Sequence, residues 1–279
     1  MEIRHETKPL LFTLFLFCAA VLFSMQSCAR LKRPGPPPNK EPLPSPHHTY
    51  HEGAIIRADT NAQTIHLIFT GGDYNDGGEY IRRVLKEQQA PAHFFFTGDF
   101  YRLPANQALI RGLKADGHYL GAHSDKHLLY APWDNRDSLL VSKAQFTADL
   151  LANYREMARF GIRKQDAPFF LPPYEWYNAT ISRWTQELGL QLINFSPGTR
   201  SNADYTTPDM GGRYRSSEEI LESILNYEQE SPSGLNGFLL LLHIGTHPDR
   251  TDKFYFRLEE LIGELRDRGY GFRLMNDAP

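Results

Sequence analysis

Two histidines four residues apart, His123 and His127 in the run His-Ser-Asp-Lys-His, carry the strongest chemical signal in the sequence. On a helical turn that spacing brings both imidazoles to one side, and imidazole nitrogen suits zinc and other first-row divalent metals. A carboxylate from a second loop would complete three protein ligands and leave positions open for water and substrate. Two acids stand where a loop could supply it, Asp73 and Asp76 in Thr-Gly-Gly-Asp-Tyr-Asn-Asp-Gly-Gly (70–78). Asp-Gly is also ordinary turn chemistry, so each acid has a purely structural reading too. A stiff aromatic corner, Leu-Pro-Pro-Tyr-Glu-Trp-Tyr (171–177), contains Tyr174 and Glu175, and His243 closes a later apolar run.

What positions these residues is a regular alternation. Short apolar runs at 65–70, 92–97, 118–122, 168–171, 190–195, 237–243 and 270–274 read as strands. Between them lie stretches of helical period, such as Phe146, Leu150, Tyr154 and Met157, with glycine at the helix-to-strand turns Gly117, Gly161, Gly189 and Gly269. Seven strand-helix units predict a distorted (β/α) barrel, with an open doubly wound sheet as the competing architecture. In a barrel the chemistry sits on the loops after the strands. Each polar cluster above follows one of the seven runs.

The 33 acidic and 30 basic residues nearly cancel, which gives no electrostatic case for a nucleic-acid partner. Small neutral partners such as glycans stay open, and the 14 Tyr and 18 Phe suit sugar-binding clefts as well as cores. Both cysteines, Cys18 and Cys28, lie in the first 28 residues, so the folded part holds no thiol for a disulfide.

Arg4 and Lys8 precede an apolar run from 9 to 25, and Gln26-Ser27-Cys28 follows it. Residues 1–28 are therefore expected to be a lipoprotein signal peptide whose Cys28 thiol is lipidated and anchors an exported protein to a membrane, periplasmic or at the cell surface. An uncleaved anchor helix is the alternative. Residues 29–50, dense in proline, read as a spacer, and 51–279 as the catalytic domain.

Taken in order, these residues resemble the polysaccharide deacetylase family, also called carbohydrate esterase family four or the NodB-homology domain, over about 64–274. Its paired metal histidines are matched by His123 and His127, its Phe-rich second strand by Ala92-His93-Phe94-Phe95-Phe96, its Pro-Pro-Tyr corner by 172–174, and its Leu-x-His motif by 241–243. The resemblance implies a distorted seven-stranded (β/α) barrel, a divalent metal that is often zinc, and hydrolysis of N-acetyl or O-acetyl groups on an acetylated glycan. It makes Tyr174 the backbone oxyanion donor and His243 the general acid. The first motif departs from the family. Thr70 and Gly71 stand where the family has its base and its metal-binding aspartate, and Leu171 replaces the arginine that orients the base. The expectation is that nearby acids have taken over: Asp76 as third metal ligand, Asp73 as base, Glu175 in reserve. The alternative is an inactive carbohydrate-binding lipoprotein that kept the fold.

Overall fold

The computed structural model describes residues 47–275. The expected leader, Cys28 and all but the end of the proline-rich spacer lie outside them. Among the described residues no helix is long and apolar enough to cross a membrane.

A short hairpin of β1 (Thr49–His51) and β2 (Ala54–Arg57) leads into β3 (Thr64–Gly71), α1 (Gly78–Glu87), β4 (Ala92–Phe96), α2 (Gly98–Arg102), α3 (Gln107–Ala115) and β5 (Tyr119–Ala122). Then come α4 (Lys143–Ala158), β6 (Phe169–Phe170), α5 (Ala179–Glu187), β7 (Gln191–Leu192), α6 (Ser217–Glu230), β8 (Phe238–His243), α7 (Leu258–Asp267) and β9 (Gly271–Phe272). All seven expected strands are present, although β6, β7 and β9 are two residues each. The hairpin is an addition that the strand-helix pattern does not announce.

The central strands β3, β4 and β8 are buried almost end to end, as their unbroken apolar runs require of parallel strands covered on both faces. Neighbours follow chain order, β7-β6-β5-β4-β3, and β8 returns to the free side of β3. That wrap-around order is the cyclic order of a barrel, and what separates it from a doubly wound sheet is that its two ends are linked. β9 pairs with the start of β3 through Thr64↔Gly271 and Ile65↔Phe272.

The hairpin fills the gap between β7 and β8. Ile55 bridges Ile193, Asn194 N–H donates to Ile55 O at 2.9 Å, and Ala58 N–H donates to Gly237 O at 2.7 Å. Ser196 N–H reaches Leu239 O at 3.0 Å, so the chain after β7 touches β8 directly. Closure by borrowed backbone is what distorts the barrel, because β7 and β8 share no strand ladder of their own.

Helices pack their apolar stripes on the sheet, and α4 and α6 begin with reciprocal capping boxes, Ser142 with Gln145 and Ser216 with Glu219. Helix α4 breaks the rule of an apolar inner face. Asp149 and Asn153 are buried beside Phe146, Leu150 and Met157, and both point to the site.

Candidate active site at the strand ends

The loop after β5 brings the two histidines together. His123 Nε2 and His127 Nε2 are 3.2 Å apart. The turn between them is irregular rather than helical, with positive φ at Ser124 (71°) and His127 (53°), which corrects the expected helical geometry. Such backbone needs outside support. Asp149 supplies it from α4, accepting from Ser124 Oγ at 2.6 Å, Asp125 N–H at 3.1 Å and Lys126 N–H at 3.0 Å. Asn153 Oδ1 accepts the His123 N–H at 2.8 Å.

His123 Nδ1 lies 2.8 Å from Leu171 O, so that nitrogen carries the proton and Nε2 offers its lone pair toward His127. Burial holds the His123 imidazole well below its usual range, and burial also pulls His127 down to about 4 against the charge of Asp73. Both rings are therefore neutral near pH 7, as metal ligands must be. A backbone carbonyl that orients a ligating ring is the usual outer support of a metal site. Two of the three donors that a divalent cation needs are thus in place.

The third is not gathered with them: among the described residues no set of three His, Cys, Asp or Glu side chains is placed to hold a metal. Asp76, expected to complete the set, is committed elsewhere. Its Oδ1 accepts the Thr246 N–H at 2.8 Å, and its Oδ2 meets Tyr255 OH at 3.0 Å and Lys253 Nζ at 2.9 Å. Those partners hold its carboxyl below the ordinary range despite partial burial. It staples the first loop to the loop after β8, where Gly245 lets the two backbones touch; a Cβ there would lie 2.4 Å from Asn75 N. Asp73 is exposed on the cavity wall, and its charge is the one felt most by His127.

The two departures of the first loop have different settings. Thr70 is buried on the cavity wall, and its Oγ1 has no hydrogen-bond partner among the described residues. A Cβ on Gly71 would sit 2.8 Å from both Phe96 Cδ1 and Ile244 Cγ2, so this backbone has no room for an aspartate.

Across the cavity His243 Nδ1 is bonded to Asp204 Oδ1 at 2.6 Å, and the same carboxylate accepts the His243 N–H at 2.8 Å. Burial alone would lower this imidazole, yet Asp204 and Glu175 outweigh it and the net shift is upward. Beside it, loss of hydration pushes Glu175 up to about 7. Tyr174 and Glu175 both adopt positive φ (58° and 52°), and Asn194 Nδ2 secures Glu175 O at 2.8 Å. The Tyr174 ring packs 4.3 Å from that of His127.

Asp73, His123, His127, Tyr174, Glu175 and His243 therefore line one cavity of about 940 Å3, and Asp76 does not. Sequence reasoning missed Asp204, which lies in a long loop with no motif. It also missed Asp149, which did leave a signal: an acid inside a helix's apolar stripe. Trp133, 60% exposed, completes an aromatic rim with Tyr174 and Trp176.

Residues 57–193 match the sequence profile of the family described as polysaccharide deacetylase. A peptidoglycan-N-acetylglucosamine deacetylase of Bacillus cereus is 24% identical over 212 residues, covering 76% of this chain and 86% of the relative. A chitooligosaccharide deacetylase of Sinorhizobium fredii is 24% identical over 227 residues, 78% of this chain and 93% of the relative. In three dimensions the chain is similar to a carbohydrate esterase family 4 pseudoenzyme from Bacillus anthracis, with a TM-score of 0.58 at 16% identity over 80% of this chain and 67% of that one. A mutant of that pseudoenzyme has restored enzymatic activity.

Proposed function

The chain belongs to the polysaccharide deacetylase family, and on that premise we propose that it is a metal-dependent hydrolase of N-acetyl, or O-acetyl, groups on a polysaccharide or cell-wall glycan. The observation that carries this reading is the 3.2 Å approach of two neutral imidazoles opposite the His243–Asp204 pair across one cavity.

His123 and His127 would hold a divalent cation, with zinc suited to the imidazole donors, and Asp73, exposed on the same cavity wall, is the carboxylate that would have to move in to join them. When bound, the metal polarises the acetyl carbonyl and lowers the pKa of water. Asp73 then moves from base to ligand, and Glu175 takes the base role. A carboxyl raised to about 7 is well matched to accepting a proton near neutral pH. The Tyr174 N–H would face the developing oxyanion. His243, kept oriented by Asp204, would protonate the departing amine or alcohol.

The second reading is a glycan-binding protein without turnover, and Thr70 and Gly71 favour it. Acetate release from acetylated oligosaccharides, measured with and without chelator, separates the two. Chelator-sensitive release supports hydrolysis. Binding of the same oligosaccharides with no release at any metal supports the second reading. For location, the proposal is an exported lipoprotein anchored through lipidated Cys28, and a Cys28→Ala chain that still partitions with membranes would refute it.

A further inference from the structure

A second cavity, of about 360 Å3, lies behind the Tyr174–Glu175 corner, lined by Ile56, Arg136, Trp176 and Phe195 among others. Tyr174, Glu175 and Asn202 line both cavities, so the two adjoin at the corner. The volume falls within the span of small-molecule pockets.

Arg136 gives this cavity its chemistry. Its Nε donates to Tyr177 O at 2.5 Å, and its guanidinium lies over the rings of Trp176 and Tyr177, 4.4 and 5.0 Å from their centroids. Asn178 Nδ2 fixes the loop from below by donating to Arg136 O at 2.8 Å. The side chain is thus held in place. Among the described residues its two terminal nitrogens have neither a hydrogen-bond acceptor nor an ion-pair partner. A stacked guanidinium with its Nε engaged presents the flat edge between those nitrogens, which matches the two oxygens of a carboxylate.

The neighbouring main cavity has a mixed lining. Asp73, Asp99, Asp209 and Asp249 line it together with Lys126 and Arg213, and all six are absent from the second, whose one lining carboxyl is the shared Glu175. An anionic group on the substrate would meet in the second cavity a guanidinium edge that no carboxylate among the described residues already occupies.

We propose that the second cavity is a subsite for a carboxylate-bearing sugar, next in the glycan to the sugar that loses its acetyl group. The assignment rests on the glycan reading above. Muramic and uronic acids share the chemistry, and two substrate pairs distinguish them.

The test uses metal-loaded protein and calorimetry. One pair is the N-acetylglucosaminyl-N-acetylmuramic acid disaccharide and its methyl ester. The other is an acetylated xylo-oligosaccharide with and without a glucuronic acid branch. In at least one pair the free acid should bind about tenfold more tightly, the effect of one charge-assisted contact. Arg136→Gln should bring the acid's Kd to that of its neutral counterpart. Ile56→Trp, which fills the cavity from another wall, should do the same without touching the guanidinium. Equal affinity within both pairs overturns the proposal, as does a preference that survives Arg136→Gln in folded protein. If the acid preference is found and removed by Arg136→Gln while no acetate is ever released, the subsite stands and the hydrolytic reading falls.

Discussion

The loop after β5 and the loop after β3 face the same cavity, yet they are built in opposite ways. In the first, Asp149 and Asn153 of α4 hold the backbone N–H groups of 123, 125 and 126 and the Ser124 hydroxyl, and Leu171 O orients the His123 ring. In the second, the glycine-rich run is held by scattered contacts, Asn75 with Asn106, Gly77 N–H with Ile244 O, and Asp76 with Thr246, Tyr255 and Lys253, and the last set consumes the very acid expected at the metal. The histidines are thus aimed by buried groups of the core, whereas the acid of the other loop is taken up by Lys253, Tyr255 and the Thr246 N–H.

That contrast can be broken experimentally. The largest effect should come from His127→Ala, which removes one of two rigid donors: metal occupancy should vanish by elemental analysis and activity should fall by roughly 10³-fold or more. Retained metal would place the cation elsewhere and erase the distinction between the loops.

Glu175→Gln comes next. Turnover should drop by about 10²–10⁴-fold with metal content unchanged, if this carboxyl rather than either first-loop acid is the base. The wild-type rate should decline as pH falls through about 7, where Glu175 gains its proton. It should decline again as pH rises past the elevated range of His243, which acts protonated. The acidic limb should disappear in Glu175→Gln.

Asp149→Asn sharpens the comparison from the scaffold side. It keeps the shape but weakens the three contacts that hold the His-Ser-Asp-Lys-His turn, and metal affinity should fall by about 10–100-fold, the usual cost of losing outer-shell support. Metal titration measures this.

The smallest effects separate the two acids of the first loop. Asp73→Asn should weaken metal binding by about tenfold with little change in stability, for its side chain is exposed. Asp76→Asn should leave metal binding intact and lower unfolding stability by about 1 kcal/mol or less, since a carboxylate 39% exposed forms a solvent-screened pair. Chemical denaturation and metal titration on the same two variants would expose an exchange of roles.

Seven strands, their parallel direction and the placing of polar clusters after them were all legible, because apolar period and turn residues are local properties of the chain. The His123–His127 pair and His243 were legible for the same reason, each being fixed within a few residues of a strand end. The β1–β2 hairpin was not, since its place depends on backbone at 193–194 and 237 that is left to pair only once the barrel has formed. Nor was Asp204, whose meaning comes only from lying 2.6 Å from a histidine 39 residues away.

Sequence by itself determined the order of elements and singled out the two imidazoles, but the turn that brings them together is held by Asp149 and Asn153. Only the tertiary structure set Asp73 and Asp76 apart, leaving the first on the cavity wall and pairing the second away from it. Both stand on the same turn with the same chemistry, and a carboxylate goes to whichever partners fold beside it: Lys253 and Tyr255, contributed by the far end of the chain, claimed one of them.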